Sequence, residues 1–341
     1  APWGHGLQVV NMTQSTVTVT APSRLHFGLF AFDNGVPYQF GGVGVMVGHP
    51  RTRLVLRPAE RFVVRGAYGD RLRRHAVRAA QIWDLPQLPR CSLELTEYPE
   101  QHVGLGSGTQ LGLSVVAGLN ALLGRPPLGA EALAHAAGRA ARSAVGTHGF
   151  LWGGLIVEMG KRDAGALGVL AGRVELPGSW RFTLLLPAGD VGLSGDAERR
   201  AFASLPAVST TTTEQLIELA RGRLMPDAAC GRFADFSDAL YEYGCLAGEC
   251  FASWQGGPFA SPQLARLVQR IRGHGVCGVG QSSWGPTLFA LLPGQQEAES
   301  FVDALQRECP SERLDAIITA ASQTGARIDV VRGPSCAGDY G

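Results

Sequence analysis

The segment H-V-G-L-G-S-G-T-Q, residues 102–110, sets three glycines and two hydroxyls directly ahead of a long apolar run. Glycine lets a backbone approach a ligand closely and take up positive φ. The run that follows, residues 109–123, is apolar almost all round and predicts a buried helix, stopped by Gly124-Arg125-Pro126-Pro127. The first amides of such a helix have no internal partners, and with the helix dipole they make an anion site. The predicted chemistry is phosphate binding, with Ser107 and Thr109 offering hydroxyls to phosphate oxygens or to a metal ion. No Gly-Lys-Ser/Thr follows, and the G-x-G-x-x-G spacing fails after Gly106. A tightly packed glycine turn is the other reading of this segment taken alone.

Further candidates lie elsewhere. Arg24 and His26 share one face of an extended segment. An arginine fork suits a carboxylate or phosphate; the plain alternatives are a strand-end surface arginine and a core histidine. His102 and His148 leave the same choice open. A second glycine-rich segment, G-V-G-Q-S-S-W-G-P-T (278–287), offers Gln281, Ser282 and Ser283 as polar donors. Trp284 there is either an aromatic wall or core packing. Asp196 and Glu198 follow a glycine turn, where they orient a ligand or a metal, or Asp196 caps a helix.

The chain must hold these segments with two bodies rather than one, because 341 residues exceed one ordinary core. Period-2 alternation predicts strands at 16–21, 53–57 and 92–97. Helices are expected at 70–83 and 130–144, and a strand at 154–159. A boundary near 175 separates residues 12–175 from 176–341. The second half alternates the strand 182–186, helices at 213–224, 233–254 and 262–274, the strand 287–292, a helix at 295–307 and a final strand at 327–332. The pattern is α+β.

Composition narrows the partners. A net charge of +1 gives no bulk attraction to nucleic acid or an anionic membrane. Lys161 is the only lysine, so anion recognition must rest on arginine forks and backbone amides. Seven scattered cysteines without a C-x-x-C pair read as reduced thiols rather than a disulfide framework or zinc site. No apolar run reaches the roughly 20 residues of a membrane span, and residues 1–11 lack the pattern of a signal peptide. Met12 reads as a natural start, and a cytoplasmic protein is expected.

Three segments, in order, resemble motifs of the GHMP kinase superfamily. P-S-R-L-H-F-G-L (22–29) is similar to its N-terminal motif, G-L-G-S-G-T (104–109) to its G-L-G-S-S-A loop, and 278–287 stands where its C-terminal glycine loop belongs. The resemblance covers residues 16–332 and implies a ribosomal-protein-S5-like N-terminal domain followed by a ferredoxin-like one. Two departures tell against ordinary kinase chemistry: Gly108 replaces a serine that commonly helps hold magnesium, and S-A-V-G-T-H-G (143–149) lacks the kinases' catalytic Asp. R-L-H-F-G-L, G-S-G-T-Q and Q-S-S-W-G-P are instead similar to the β-ribofuranosylaminobenzene 5'-phosphate synthases. Those enzymes of tetrahydromethanopterin biosynthesis condense 5-phosphoribosyl 1-diphosphate with 4-aminobenzoate, releasing carbon dioxide and diphosphate. The resemblance implies the same reaction here, with an ATP-dependent small-molecule kinase as the alternative. It implies catalytic roles for Arg24, His26, Ser107 and His148. It implies ligand-binding roles for Ser23, Gly104, Leu105, Gly106, Gly108, Thr109 and Gln110, and for Gly280, Gln281, Ser282, Ser283 and Trp284. Mg2+, a homodimer and small-molecule substrates complete the expectation.

Overall fold

A computed structural model describes residues 15–32, 37–139, 141–163, 165–187, 195–308 and 314–332, without the side chains of 195–199. Asp196 and Glu198 therefore lie outside the described side chains.

The alternating T-V-T-V-T run opens β1 (Ser15–Leu29), which buries Val17, Val19 and Ala21 on one face. It pairs antiparallel with a long β2 (Gln39–Pro58). One half of β2 carries β4 (Cys91–Glu97), which in turn pairs with the short β3 (Val63–Arg65). The other half carries β5 (Leu155–Lys161), and β6 (Leu170–Val174) pairs outside it. Helices α1 (Gly69–Ile82), α2 (Ser107–Leu122) and α3 (Ala130–Ala137) form a layer on this sheet. The central helix α2 is buried on nearly every side, as its composition requires. A short helix, α4 (Val145–Trp152), follows. The second sheet takes β7 (Arg181–Pro187), β8 (Val279–Gln281), β9 (Leu288–Leu292) and β10 (Leu314–Thr319) in the order β10-β7-β9-β8.

Two expectations need correction. The strand 327–332, β11, does not close the second half: it pairs with β1 and so belongs to the first sheet. On either side of residue 175, β6 belongs to the first sheet and β7 to the second, while β11 returns to the first. The alanine-rich helix ends at Ala137 rather than at 144, with Gly138 in the left-handed conformation as its stop. Arg139, Ala141, Arg142 and Ser143 beyond it line a cleft. Among the described residues no helix is long and apolar enough to cross a membrane, and the described cysteines are free thiols.

Candidate active site

A cleft of about 680 Å³ opens between the glycine loop, the end of α3 and the second domain. Gly106 takes a left-handed φ of 67° at the cap of α2. Thr109 and Gln110 donate their N–H groups to the Gly106 carbonyl, so Ser107 and Gly108 carry the amides of the first turn left for a ligand. Ser107 Oγ makes a long 3.5 Å contact with the Glu100 carbonyl and lies near the Tyr98 hydroxyl. The loop is braced from behind by the other glycine segment. A Cβ on Gly104 would stand 2.2 Å from the Ser282 carbonyl oxygen, and one on Gly285 would stand 2.1 Å from Val103 backbone atoms. Ser282 Oγ donates to the Gly104 carbonyl at 2.8 Å and accepts the His26 N–H at 3.0 Å.

Five arginines line the same cleft: Arg24, Arg71, Arg74, Arg139 and Arg142. Arg71 donates to the Gln101 side chain, and Arg139 Nη2 lies 3.3 Å from His75 Nε2. Burial, and then the charges of Arg139 and Arg71, push His75 down to about 4, so it is a neutral acceptor for Arg139. Burial, and then the Arg71 charge, also lower Arg139. None of the described residues that line the cleft is a carboxylate. The cluster stores like-charge repulsion that an anion relieves.

Gly108 has a spatial reason. A Cβ there would stand 2.9 Å from Arg71 Nη2, while backbone is not the obstacle. Gly108→Ser is therefore expected to leave thermal stability nearly unchanged, since the tip of an arginine can move. It should weaken binding of inorganic diphosphate several-fold, read by titration calorimetry, because Arg71 is pushed off the loop.

A different stretch of the wall is aromatic. Trp284 meets Phe251 and Phe202 edge-on at 4.7 and 5.5 Å between ring centres, and the Arg142 guanidinium lies 4.6 Å over the Phe202 ring. Both stretches carry lining glycines, at 104–108 and at 244–248, which keep the cleft open.

Of the residues expected to serve a site, the cleft brings together Arg24, His26, His102, Gly104, Gly106, Ser107, Gly108, Thr109, Gln281, Ser283 and Trp284. Bulges in the β1–β2 register between Ala21 and Ser23, and between His26 and Gly28, flank the first two and aim them inward. Six others stand off the wall. His148 is buried, with Nε2 2.8 Å from the Gly168 carbonyl oxygen, and is a core histidine. Gln110 is fully buried and donates to the Gly146 carbonyl at 3.0 Å. Leu105 packs in the core, Ser23 is fully buried in β1, Gly280 faces the Phe289 ring, and Ser282 is the brace already described. Arg71, Arg74, Arg139 and Arg142 were not anticipated. Their signal is arginine clustering at helical spacing in D-R-L-R-R and R-A-A-R, in a chain nearly free of lysine.

Magnesium finds a poor donor set here. It prefers carboxylates and phosphate oxygens in octahedral array, whereas the described wall offers hydroxyls and side-chain amides among arginines, and no carboxylate. No cluster of three His, Cys, Asp or Glu able to hold a metal exists among the described residues. These residues do not fit a protein-held ion.

The two sheets and the braced glycine loop make this a GHMP kinase fold. Residues 224–311 match the family GHMP kinases C terminal. The homoserine kinase of Cytophaga hutchinsonii superposes with a TM-score of 0.64 at 17% identity, covering 95% of this chain and 100% of the other. The mevalonate diphosphate decarboxylase of Staphylococcus aureus does so at 0.65 and 12%, covering 92% and 98%. In sequence the chain is similar to the beta-ribofuranosylphenol 5'-phosphate synthase of Methanothermobacter thermautotrophicus, 26% identical over 80% of this chain and 88% of that one. The Archaeoglobus fulgidus protein of the same name is 25% identical over 91% and 98%.

Proposed function

We propose that this protein is a decarboxylating phosphoribosyltransferase that joins 5-phosphoribosyl 1-diphosphate to a benzoate bearing a para amino or hydroxyl group. The observation that carries this reading is the make-up of one cleft wall: an arginine-and-amide cradle beside an aromatic stack, with no described carboxylate. The relatives' names support a ribofuranosyl 5'-phosphate product, and they specify a phenol where the resemblance of the motifs pointed to an aminobenzene. Either substituent pushes electron density onto the ring carbon that carries the carboxylate.

The C1–O bond of the sugar breaks and its electron pair leaves on the diphosphate. Ser107, the first amides of α2, Arg71 and Arg139 are placed to meet that growing charge, and such preorganised donors are the main catalytic requirement. The ring carbon bonds to C1 of the sugar. Loss of carbon dioxide returns an electron pair to the ring and restores aromaticity, so no ring proton has to be removed and no general base is needed. In this reading Arg142, which lies over Phe202, holds the benzoate carboxylate. Magnesium in this reading comes on the diphosphate, as part of the substrate.

The test is release of labelled carbon dioxide from carboxyl-labelled 4-hydroxybenzoate or 4-aminobenzoate in the presence of phosphoribosyl diphosphate. ATP consumption on an alcohol, without carbon dioxide release, would favour the kinase instead. Ser107→Ala is expected to lower kcat by about 100-fold, the usual cost of losing one such donor. Near-parental turnover would remove Ser107 from the cradle.

A further inference from the structure

Glu158 sits in the middle of β5 after three apolar residues, fully buried and off the cleft wall. Its Oε1 accepts the Ala144 N–H at 2.7 Å, while Oε2 is buried with no hydrogen-bond partner among the described residues. The Ser143 hydroxyl lies against this carboxylate and favours its ionised form. The same hydroxyl oxygen accepts the Val145 N–H at 3.2 Å and lies 3.1 Å from His26 Nε2.

A serine hydroxyl has one proton to give. Here it chooses between a buried carboxylate, also favoured in its charged form by the Ala144 and Val145 amides and by Lys161, and an imidazole kept neutral by burial and by Arg24. The bond to the charged acceptor is the stronger one. Ser143 Oγ must then act as acceptor toward His26, so Nε2 carries the ring proton and Nδ1 keeps its lone pair. His26 also has a defined position. Its N–H reaches Ser282, which holds Gly104, and its carbonyl accepts the N–H of Ser283, next to Trp284. It thus stands where the anion cradle meets the aromatic stack. Arginines and amides supply donors to a ligand; a sugar hydroxyl at this junction needs an acceptor.

We propose that Glu158 is a positioning residue that works through Ser143 to set the tautomer of His26, so that Nδ1 enters the cleft as a neutral acceptor for a hydroxyl of a phosphorylated pentose. The choice of a pentose rests on the phosphoribosyl reading; the tautomer does not.

The experiment is 15N NMR of histidine-labelled protein at pH 8, with the His26 ring assigned among the eight histidines by its absence in His26→Gln. The parent is expected to show a protonated Nε2 and an unprotonated Nδ1. A protonated Nδ1 in the parent overturns the proposal, and that result needs no variant to fold. In Glu158→Gln the amide donates to Ser143, whose proton turns to His26, so the ring is expected to switch to Nδ1–H. An unchanged tautomer in that variant overturns the relay. Ribose 5-phosphate should then shift the parent's Nδ1 signal as a new hydrogen bond forms, and inorganic phosphate should not. Equal responses to both overturn the pentose assignment alone. Because none of these readouts requires turnover, failure of the carbon dioxide assay leaves them independently decisive.

Discussion

Arg139→Ala is expected to lower kcat/KM for phosphoribosyl diphosphate by about 100- to 1000-fold, the usual range for one lost preorganised donor at a developing oxyanion. The guanidinium is largely buried, lines the cleft beside the glycine loop and faces Arg71 rather than a carboxylate. Among the described residues that line the cleft no carboxylate answers its charge, and an anionic ligand would do so. Two consequences separate this from simple unfolding. Without ligand the variant should be nearly as stable as the parent, because the bond lost to His75, worth about 1 kcal/mol, is offset by relief of the repulsion with Arg71. With saturating diphosphate the parent should gain thermal stability, about 3 kcal/mol at a hundredfold excess over Kd, and the variant should gain far less. Steady-state kinetics and thermal denaturation with and without diphosphate measure both effects. A variant within threefold of the parent in kcat/KM would show that Arg139 does not touch the reacting diphosphate. Arg139→Lys should recover only part of the loss, since an ammonium lacks the fork.

Glu158→Gln is expected to flatten a pH dependence of folding stability. Burial raises the Glu158 carboxyl from 4.5 to about 7, against the smaller opposing effects of Ser143, nearby amides and Lys161. The folded state then binds this proton more tightly than the unfolded chain. Its stabilising contribution is complete below pH 4.5 and is lost as pH rises through 7. Each tenfold change in proton affinity is worth 1.4 kcal/mol, so the loss is about 3 kcal/mol. His26 and His75 act in the opposite sense, since both are held below their ordinary range and cost stability as pH falls. Both imidazoles stay buried beside the same arginines in the variant and are neutral in either tautomer, so their contributions cancel in the difference between variant and parent. The stability of the variant relative to the parent, from urea unfolding at pH 4.5 and pH 8, should therefore rise by about 3 kcal/mol over that interval. A constant difference would mean that Glu158 titrates as it does in the unfolded chain.

Much of this fold was legible in the residues. T-V-T-V-T predicted the start of β1, and the all-apolar run after the glycine loop predicted a buried α2. Local period and helix stops carry such information, since both depend on near neighbours. The extent of β2 was not legible. Its two halves pair with different strands, and glycines at 41, 42 and 44 lie within it although glycine weakens the local signal of a strand. The partner of β11 was hidden for the same reason: an exposed R-I-D-V-V-R alternation fits any sheet edge.

For the site, the sequence by itself determined the anion cradle: glycines at 104, 106 and 108, a helix expected from Thr109 and found to start at Ser107, and arginine as the only abundant cation. Those are properties of backbone conformation and residue chemistry that need no distant partner. Tertiary structure alone decided which polar groups the cradle uses. It withdrew His148 into the core, turned Gln110 and Ser282 into braces, and brought Arg71 from α1 and Arg139 from beyond α3 against Gly108. It also placed a lone carboxylate of an apolar strand behind Ser143 and His26. Residues 26, 143 and 158 are far apart in the chain, and only the pairing of β1 and β5 on either side of β2 makes them neighbours.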